Sequence, residues 1–305
     1  MSSITRAVEV FVDRLATLGW GAIALGAFLH VLKMAARARA WRNVIAEAYP
    51  DADVRWRRVF GAYAAGVGVN SILPARGGDV LRLYLARRGI EGSTYPTLGA
   101  TLLVEAIFDS VFASALLLWA LSLGVLPGLD VLPRLPSIDW LWLFHNPELA
   151  WIFGGLLALA VIVAFAFARA HVVAFRERVA QGVVILRRPR RYLRLVVAWQ
   201  AVDWSLRLAT IYCFLRGFGL AADLHNVLLV QVSQSVSTIL PLTPAGLGTE
   251  QALLLYVFRG TAPIGAVLSF SVGMKAVLIA VNLVVGFTAI LLMLRTFRWR
   301  GRMEA

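Results

Sequence analysis

The sequence is poor in lysine, cysteine and acidic residues, and these shortages exclude several classes of protein. Its lysines are Lys33 and Lys275, and its one cysteine is Cys213, so a framework of intrachain disulfides is excluded. The four histidines are scattered without ligand spacing, and we therefore expect no metal site. The sequence also lacks a Walker loop and a defensible Ser/His/Asp arrangement. We therefore expect neither enzymatic activity nor a cofactor.

Apolar residues dominate the chain. Hydrophobic residues make up 60% of its 305 positions, and only 15% are charged. A mean hydropathy of +0.76 places it among polytopic membrane proteins. The net charge of +13 comes almost entirely from arginines between apolar segments, which indicates membrane topology and contacts with anionic lipid headgroups rather than nucleic acid. The first apolar segment lacks a convincing cleavage site, so we expect a retained helix rather than a signal peptide.

Several apolar segments are long enough to cross a bilayer, which takes about 20 helical residues. Such crossings are predicted at 15–36, 97–123, 149–168, 195–215 and 262–294. Two shorter apolar runs, 59–73 and 225–240, are each followed by a stretch rich in proline and glycine. Another short apolar run then follows, at 80–88 and at 251–259 respectively. Broken backbone inside a bilayer is tolerated only where it lines a protein cavity. We therefore predict two re-entrant helical hairpins, at 59–88 and 225–259.

The two hairpins have similar tips. Each tip is an apolar run broken by proline and glycine and closed by a carboxylate, and such paired breaks are a sequence signal for a transporter-like site. The residues expected to shape the two tips are Pro74, Gly77, Gly78, Pro241, Pro244, Gly246 and Gly248. Backbone amides near these turns could also bind phosphate.

The distribution of arginine predicts the orientation of the chain. Four connecting segments are rich in arginine: 37–58, 76–88, 169–194 and 295–302. Placing them all in the cytoplasm satisfies the positive-inside rule only if the hairpins enter from opposite sides and 262–294 crosses once. The prediction is a single all-α membrane domain, 1–305, with an inverted-topology repeat and a cytoplasmic C-terminus. Its parts are repeat 1 (about 15–123), a linking helix (149–168), a basic cytoplasmic segment (169–194) and repeat 2 (about 195–294).

Ionisable residues inside apolar segments are candidate functional residues, because charge at membrane depth is unfavourable unless it is paired or hidden from lipid. Glu105 and Asp109 are four residues apart and therefore share a helix face. Asp203 and Arg207 have the same spacing, and we interpret them as a structural ion pair. The predicted substrate-binding residues are Arg76, Asp79, Arg82, Glu105, Asp109, Glu250 and Lys275. A purely structural role for these charges, fixing helix register, is the alternative.

The motifs resemble those of a known family. The resemblance rests on two segments and one residue pair: 74–82 (PARGGDVLR), 241–250 (PLTPAGLGTE), and Glu105 with Asp109. They are similar to the transmembrane region of lysylphosphatidylglycerol synthases, which also occurs as stand-alone, flippase-like membrane proteins in bacteria and archaea. The resemblance covers about 15–294. The sequence differs from the family pattern at Asp79, Ala106, Ala245 and Lys275, where the family usually has Glu, Arg, Gly and Arg.

This resemblance implies a multi-pass protein of a prokaryotic plasma membrane that moves a lipid or lipid-linked molecule between leaflets. An anionic or aminoacylated phospholipid is the expected class of substrate. Arg76, Arg82 and Lys275 would contact phosphate, whereas the carboxylates would bind cationic headgroup parts or protons. One alternative is a non-transporting scaffold or lipid-supplying subunit for a membrane enzyme of envelope or glycolipid synthesis. A third hypothesis is a membrane enzyme acting on a lipid phosphate.

Overall fold

A computed structural model describes residues 18–73, 77–122, 175–239 and 248–303, and every regular element in these ranges is helical. The prediction of an all-α chain is thereby confirmed. The principal helices are α1 (Trp20–Ala48), α2 (Trp56–Asn70), α3 (Gly77–Gly89), α4 (Tyr95–Ser122), α5 (Ala198–Gly217), α6 (Leu224–Ile239), α7 (Thr249–Val257) and α8 (Ile264–Met303). Short helical segments precede α5, at 175–182, Val184–Arg187, Pro189–Tyr192 and Leu193–Val197. The predicted linking helix at 149–168 lies outside the described residues.

Three of the described helices are long and apolar enough to cross a membrane. They cover Trp20–Ala48, Tyr95–Ala120 and Ile264–Met293. Each contains one of the predicted crossings or nearly all of it. Helix α5 occupies the predicted crossing at 195–215, but Asp203, Arg207 and other polar side chains leave it less apolar than these three. The described part of the chain is therefore that of a membrane protein with several apolar helices.

Helix α1 is longer than predicted. The predicted crossing ended at residue 36, just before Arg37, whereas the helix continues to Ala48. The continuation is rich in alanine, which favours helix, and it buries Trp41 and Ile45 completely. Arg37 therefore lies within a helix rather than in a connecting segment. Helix α8 is also continuous, from Ile264 to Met303, without the turn that a second crossing would need.

Helices α1 and α5 pack against each other along their length and run antiparallel. At one end the backbone N–H of Gly19 donates to the carbonyl oxygen of Gly217 at 2.8 Å. At the other end Asn43 Nδ2 donates to the carbonyl oxygen of Leu195, just before α5, at 2.7 Å. Between these points the Phe214 ring lies directly against the backbone of Gly26. These two helices form the most extensive helix–helix contact of the described structure, and α8 packs mainly on α2.

Two pairs of short helices, α2 with α3 and α6 with α7, pack against each other near opposite ends of the α1/α5 pair. The start of α2 and the end of α3 lie together, and we call this the open end of the pair. There Arg58 Nη1 donates to the carbonyl oxygen of Gly89 at 3.1 Å. This end lies near the end of α1, because the backbone N–H of Thr94 donates to the hydroxyl of Tyr49 at 2.9 Å. Helices α6 and α7 pack in one hydrophobic cluster with Ile23, at the start of α1.

Candidate functional site

Arg37 is the centre of a buried ion-pair network. Its two terminal nitrogens both donate to the carboxylate of Asp109, and the Nη1–Oδ1 distance is 2.9 Å. Nη1 also donates to Asp203 Oδ2 at 3.3 Å, and Nε lies 4.0 Å from Glu105 Oε2. One guanidinium from α1 thus contacts acids from α4 and α5, and a forked arginine–carboxylate pair of this kind fixes geometry as well as charge.

Glu105 is held by a second arginine, Arg82 of α3. Arg82 Nη2 donates to Glu105 Oε2 at 3.0 Å, and both side chains are almost completely buried. The Arg82 guanidinium lies 3.8 Å from the ring centre of Trp41 and 4.8 Å from that of Tyr63. Cation–π contacts with two rings stabilise a charge that is removed from water. Glu105 and Arg82 therefore belong to the packed interior between α1, α3 and α4.

Asp203 and Arg207 are less closely paired with each other than their spacing suggests. Arg207 Nη2 lies 4.0 Å from Asp203 Oδ2, farther than the 3.3 Å that separates Asp203 from Arg37. The Arg207 guanidinium instead lies 4.8 Å from the ring centre of Trp204. Trp204 Nε1 donates to Asp109 Oδ1 at 3.2 Å. The interpretation of Asp203 and Arg207 as a self-contained pair missed the long-range partner of the acid.

A second ion pair joins α7 to α8. Lys275 Nζ donates to Glu250 Oε2 at 2.8 Å, and Gln234 Nε2 of α6 donates to Glu250 Oε1 at 3.3 Å. Glu250 lies in the first turn of α7, where the helix dipole favours negative charge. The structure therefore brings together two of the predicted site residues, Glu250 and Lys275, and adds an amide partner from the other helix of the same hairpin.

A cavity of about 630 Å³ lies between these two groups of charges. It is bounded by α4 and α5 on one side and by α6, α7 and α8 on the other. Its polar lining consists of Asp109, Ser110, Ser114, Arg207, Gln231, Gln234, Ser235, Ser237, Glu250 and Lys275. Asp109, Glu250 and Lys275 were predicted as substrate-binding residues, and all three line this central cavity. Arg82, Glu105 and Asp79 do not belong to its lining.

A larger groove of about 1000 Å³ lies between α2 and α8, at the end of the molecule where the arginines gather. Apolar side chains such as Val284 and Leu292 form most of its walls, and Arg39, Arg42, Arg55, Arg57 and Arg58 also line it. Apolar walls suit acyl chains or lipid contact. The central cavity has the more polar lining of the two and is therefore the better candidate for a headgroup site.

The described parts of the hairpin tips place Asp79 beside Asn70. The Gly78 backbone N–H donates to Asn70 Oδ1 at 2.7 Å, and Asn70 Nδ2 donates to Asp79 Oδ1 at 3.2 Å. A Cβ atom at Gly78 would lie 2.0 Å from the carbonyl oxygen of Gly66, so only glycine fits this close helix contact. Gly77 has more room, since a Cβ atom there would lie 3.6 Å from Leu73.

At the second tip, Gly248 precedes α7 with a φ of +91°, a conformation that other residues rarely adopt. The remaining residues predicted at the tips lie outside the described residues. They are Pro74, Arg76, Pro241, Pro244 and Gly246.

Sequence reasoning missed four polar residues of this region: Lys33, Arg37, Trp204 and Gln234. Lys33 and Arg37 are one helical turn apart on a helix that remains alanine-rich beyond residue 36. That continuation was the available signal, and we instead counted Arg37 as the start of a cytoplasmic segment. Within the described ranges, no group of three histidine, cysteine, aspartate or glutamate side chains is arranged to hold a metal ion.

Comparison with known proteins supports the family suggested by the motifs. The family model described as the lysylphosphatidylglycerol synthase transmembrane region matches residues 5–286. A UPF0104 membrane protein from Methanocaldococcus jannaschii is 26% identical over 193 residues, which cover 63% of this chain and 79% of that protein. No solved structure matches the chain. Because the family model covers nearly the whole sequence, the chain belongs to the lysylphosphatidylglycerol synthase transmembrane-region family of membrane proteins.

Proposed function

We propose that this protein is a flippase-like transporter that moves a lipid or lipid-linked molecule, of the anionic or aminoacylated phospholipid class, between the leaflets. The observation that carries the proposal is the central cavity, about 630 Å³ in volume and lined by charged side chains from both halves of the chain. Charges in a membrane protein that face an internal cavity typically mark a substrate pathway. The headgroup would occupy this cavity while the acyl chains remain in lipid.

The charges around the cavity suit a headgroup that carries both signs. Lys275 and Arg207 offer cationic groups to a phosphate, and Asp109 and Glu250 offer carboxylates to an amine. Arg82 and Glu105 are buried against aromatic rings outside the cavity lining. For these two residues we propose a role in holding α3 against α4, in place of the substrate contact expected from the sequence.

An inverted repeat of two re-entrant hairpins is part of this proposal. Each half has a long helix, two short packed helices and a second long helix, in the same order. The first long helices of the two halves, α1 and α5, run antiparallel, and the hairpins have their open ends at opposite ends of that pair. This is the relation that an inverted-topology repeat produces.

The orientation follows from the arginine-rich end of the molecule. Three parts of the chain meet at this end: the open end of the first hairpin, the end of α1 and the segment before α5. Arg188 and Arg191 of that segment both pair with Glu47 of α1. The positive-inside rule places this end, and with it the C-terminus of α8, in the cytoplasm of a prokaryotic cell.

Cysteine accessibility tests the orientation. In a Cys213→Ser background, Gly92→Cys lies in the connection after the first hairpin and Ala221→Cys in the connection before the second. A membrane-impermeant maleimide added to intact cells should label the cysteine at 221 and should label the one at 92 only after permeabilisation. Labelling of both from outside contradicts the proposed topology.

Reconstitution tests transport. Vesicles containing the purified protein and a fluorescent or aminoacylated anionic lipid should show faster exchange between leaflets than empty vesicles. Glu250→Gln should slow exchange at least about tenfold, because it leaves Lys275 without its buried partner. Glu47→Gln is the matched control, since it makes the same chemical change in an ion pair outside the cavity, and it should stay within about twofold of wild type.

The same purified protein and vesicles also distinguish transport from the two alternative functions, a scaffold and an enzyme. Exchange no faster than in empty vesicles, for every anionic and aminoacylated lipid tried, contradicts transport. Co-purification with a membrane enzyme, together with retained cellular function after Glu105→Ala and Glu250→Ala, identifies a scaffold or lipid-supplying subunit. A new lipid species in mass spectra of the vesicles identifies an enzyme, whereas we propose that the lipids stay chemically unchanged.

A further inference from the structure

A small polar chamber lies beside the central cavity and carries three polar side chains that the proposed function has not used, namely His30, Lys33 and Thr210. Its volume is about 120 Å³, and its polar lining is His30 and Lys33 of α1, Arg207 and Thr210 of α5, and Gln234 of α6. Arg207 and Gln234 also line the central cavity, so the two spaces adjoin. Since a water molecule occupies about 30 Å³ in the liquid, the chamber matches a small tetrahedral oxyanion rather than a whole headgroup.

The two cations of the chamber are poorly neutralised. No carboxylate of the described ranges lies within 4 Å of the Lys33 ammonium. Arg207 reaches Asp203 only at 4.0 Å, and its Nε atom is buried without a hydrogen-bond partner. Asp203 is already shared, because Arg37 Nη1 donates to it at 3.3 Å. Lys33 and Arg207 therefore both line this chamber without a close carboxylate partner among the described residues.

The numbers of basic and acidic side chains around the ion-pair network also favour an anion in the chamber. The cations around the ion-pair network are Lys33, Arg37, Arg82 and Arg207. The carboxylates around it are Glu105, Asp109 and Asp203. Glu250 and Lys275 neutralise each other separately. Among the described residues the basic groups outnumber the acids by one, so an anion that enters the chamber meets basic side chains without a carboxylate of its own to displace.

We propose that this chamber is a phosphate subsite, with Lys33 and Arg207 as its ligands. The inference rests on the proposed function in one respect, namely that the phosphate belongs to the lipid headgroup in the central cavity. Gln234 lies between the two spaces and donates to Glu250 at 3.3 Å, so a phosphate beside Lys33 places the rest of the headgroup near Asp109 and Glu250. The site would thus select lipids with a phosphodiester over glycolipids that lack phosphate.

Binding of a water-soluble lipid tests the subsite without any transport. The purified protein in detergent is titrated with dihexanoylphosphatidylglycerol by calorimetry. Lys33→Gln and Arg207→Gln should each weaken binding at least about tenfold, as expected for the loss of one charge-assisted contact. Arg216→Gln removes an exposed cation from α5, the helix of Arg207, outside both the chamber and the central cavity, and should leave the affinity within about twofold. Unchanged affinity in both chamber variants overturns the proposal.

Inorganic phosphate distinguishes the source of the anion. If millimolar phosphate displaces the lipid from wild type but has no effect on the residual binding of Lys33→Gln, the chamber accepts phosphate itself. If phosphate does not compete while the variants still lose lipid affinity, the chamber is specific for the esterified group. If the wild-type protein shows no transport in vesicles while Lys33→Gln and Arg207→Gln still weaken lipid binding, only the transport proposal is refuted.

Stability provides a second measurement that does not depend on ligand. Because no carboxylate of the described ranges lies within 4 Å of the Lys33 ammonium, Lys33→Met should leave the ligand-free protein as stable as wild type or more so. A loss of stability as large as that of Arg37→Met would make Lys33 a member of the ion-pair network and would overturn the assignment.

Discussion

Arg37 is the residue on which the buried network should depend most. Arg37→Met keeps the length of the side chain but removes the charge that contacts Asp109, Asp203 and Glu105. Breaking one side of a buried ion pair costs about 3–5 kcal/mol. Glu105 keeps Arg82, and the side chain of Asp109 is 33% exposed, so water compensates part of the loss. We therefore expect the lower end of that range, about 3 kcal/mol.

Equilibrium unfolding by SDS in mixed micelles, followed by tryptophan fluorescence, measures this change in the free energy of unfolding. Arg39→Met is the control, because it removes a cation from the same helix that has no ion pair within the described ranges, and it should change stability by less than about 0.5 kcal/mol. Equal stability of the Arg37 and Arg39 variants would refute the reasoning.

A double variant tests whether Arg37 acts through the carboxylates. Asp109→Asn alone removes an acid that both nitrogens of Arg37 contact. Combined with Arg37→Met, it should cost less than the sum of the two single changes, with a coupling energy of about 1–3 kcal/mol. Simple additivity would mean that the two side chains contribute separately.

Two further changes test local packing. Gly78→Ala should lower the free energy of unfolding by about 1–3 kcal/mol, because its Cβ would collide with the Gly66 carbonyl oxygen, whereas Gly77→Ala should be nearly neutral; equal effects in SDS unfolding would contradict this contact. Trp204→Phe keeps an aromatic ring but removes the donor to Asp109, and we expect a loss of about 1 kcal/mol by the same measurement. No change would show that the bond contributes nothing.

The sequence predicted most helices because their signals are local. The short helices α2, α3, α6 and α7 lie within one to three residues of the predicted runs, since proline and glycine interrupt the apolar pattern on either side of them. The end of α1 was missed for the opposite reason. Arg37 looked like the end of a crossing, yet its charge is satisfied by Asp203, 166 residues later, and no local pattern records such a partner.

The candidate site shows the same division between local and distant information. Glu250 and Lys275 stood out because each is an isolated charge in an apolar segment, and they are in fact 2.8 Å apart. Arg82 was predicted from its position in the family motif, but its burial against Trp41 and Tyr63 depends on how α3 packs on α1 and α2. Residue type and spacing identify a charged residue in an apolar segment, whereas packing decides whether it faces a cavity.

The spacing between Arg37 and its acids also affects how the protein is made. The ribosome completes α1 long before α4, and α4 long before α5, so Lys33 and Arg37 reach the translocon while Asp109 and Asp203, the partners of Arg37, are still untranslated. A lone charge at the middle of an inserting helix costs about 2.5–3.5 kcal/mol on the translocon scale. During synthesis, α1 is therefore expected to rest with these residues near the lipid–water boundary and to take its final depth only when α5 arrives. Biogenesis of this protein would then end with a late rearrangement of its first helix.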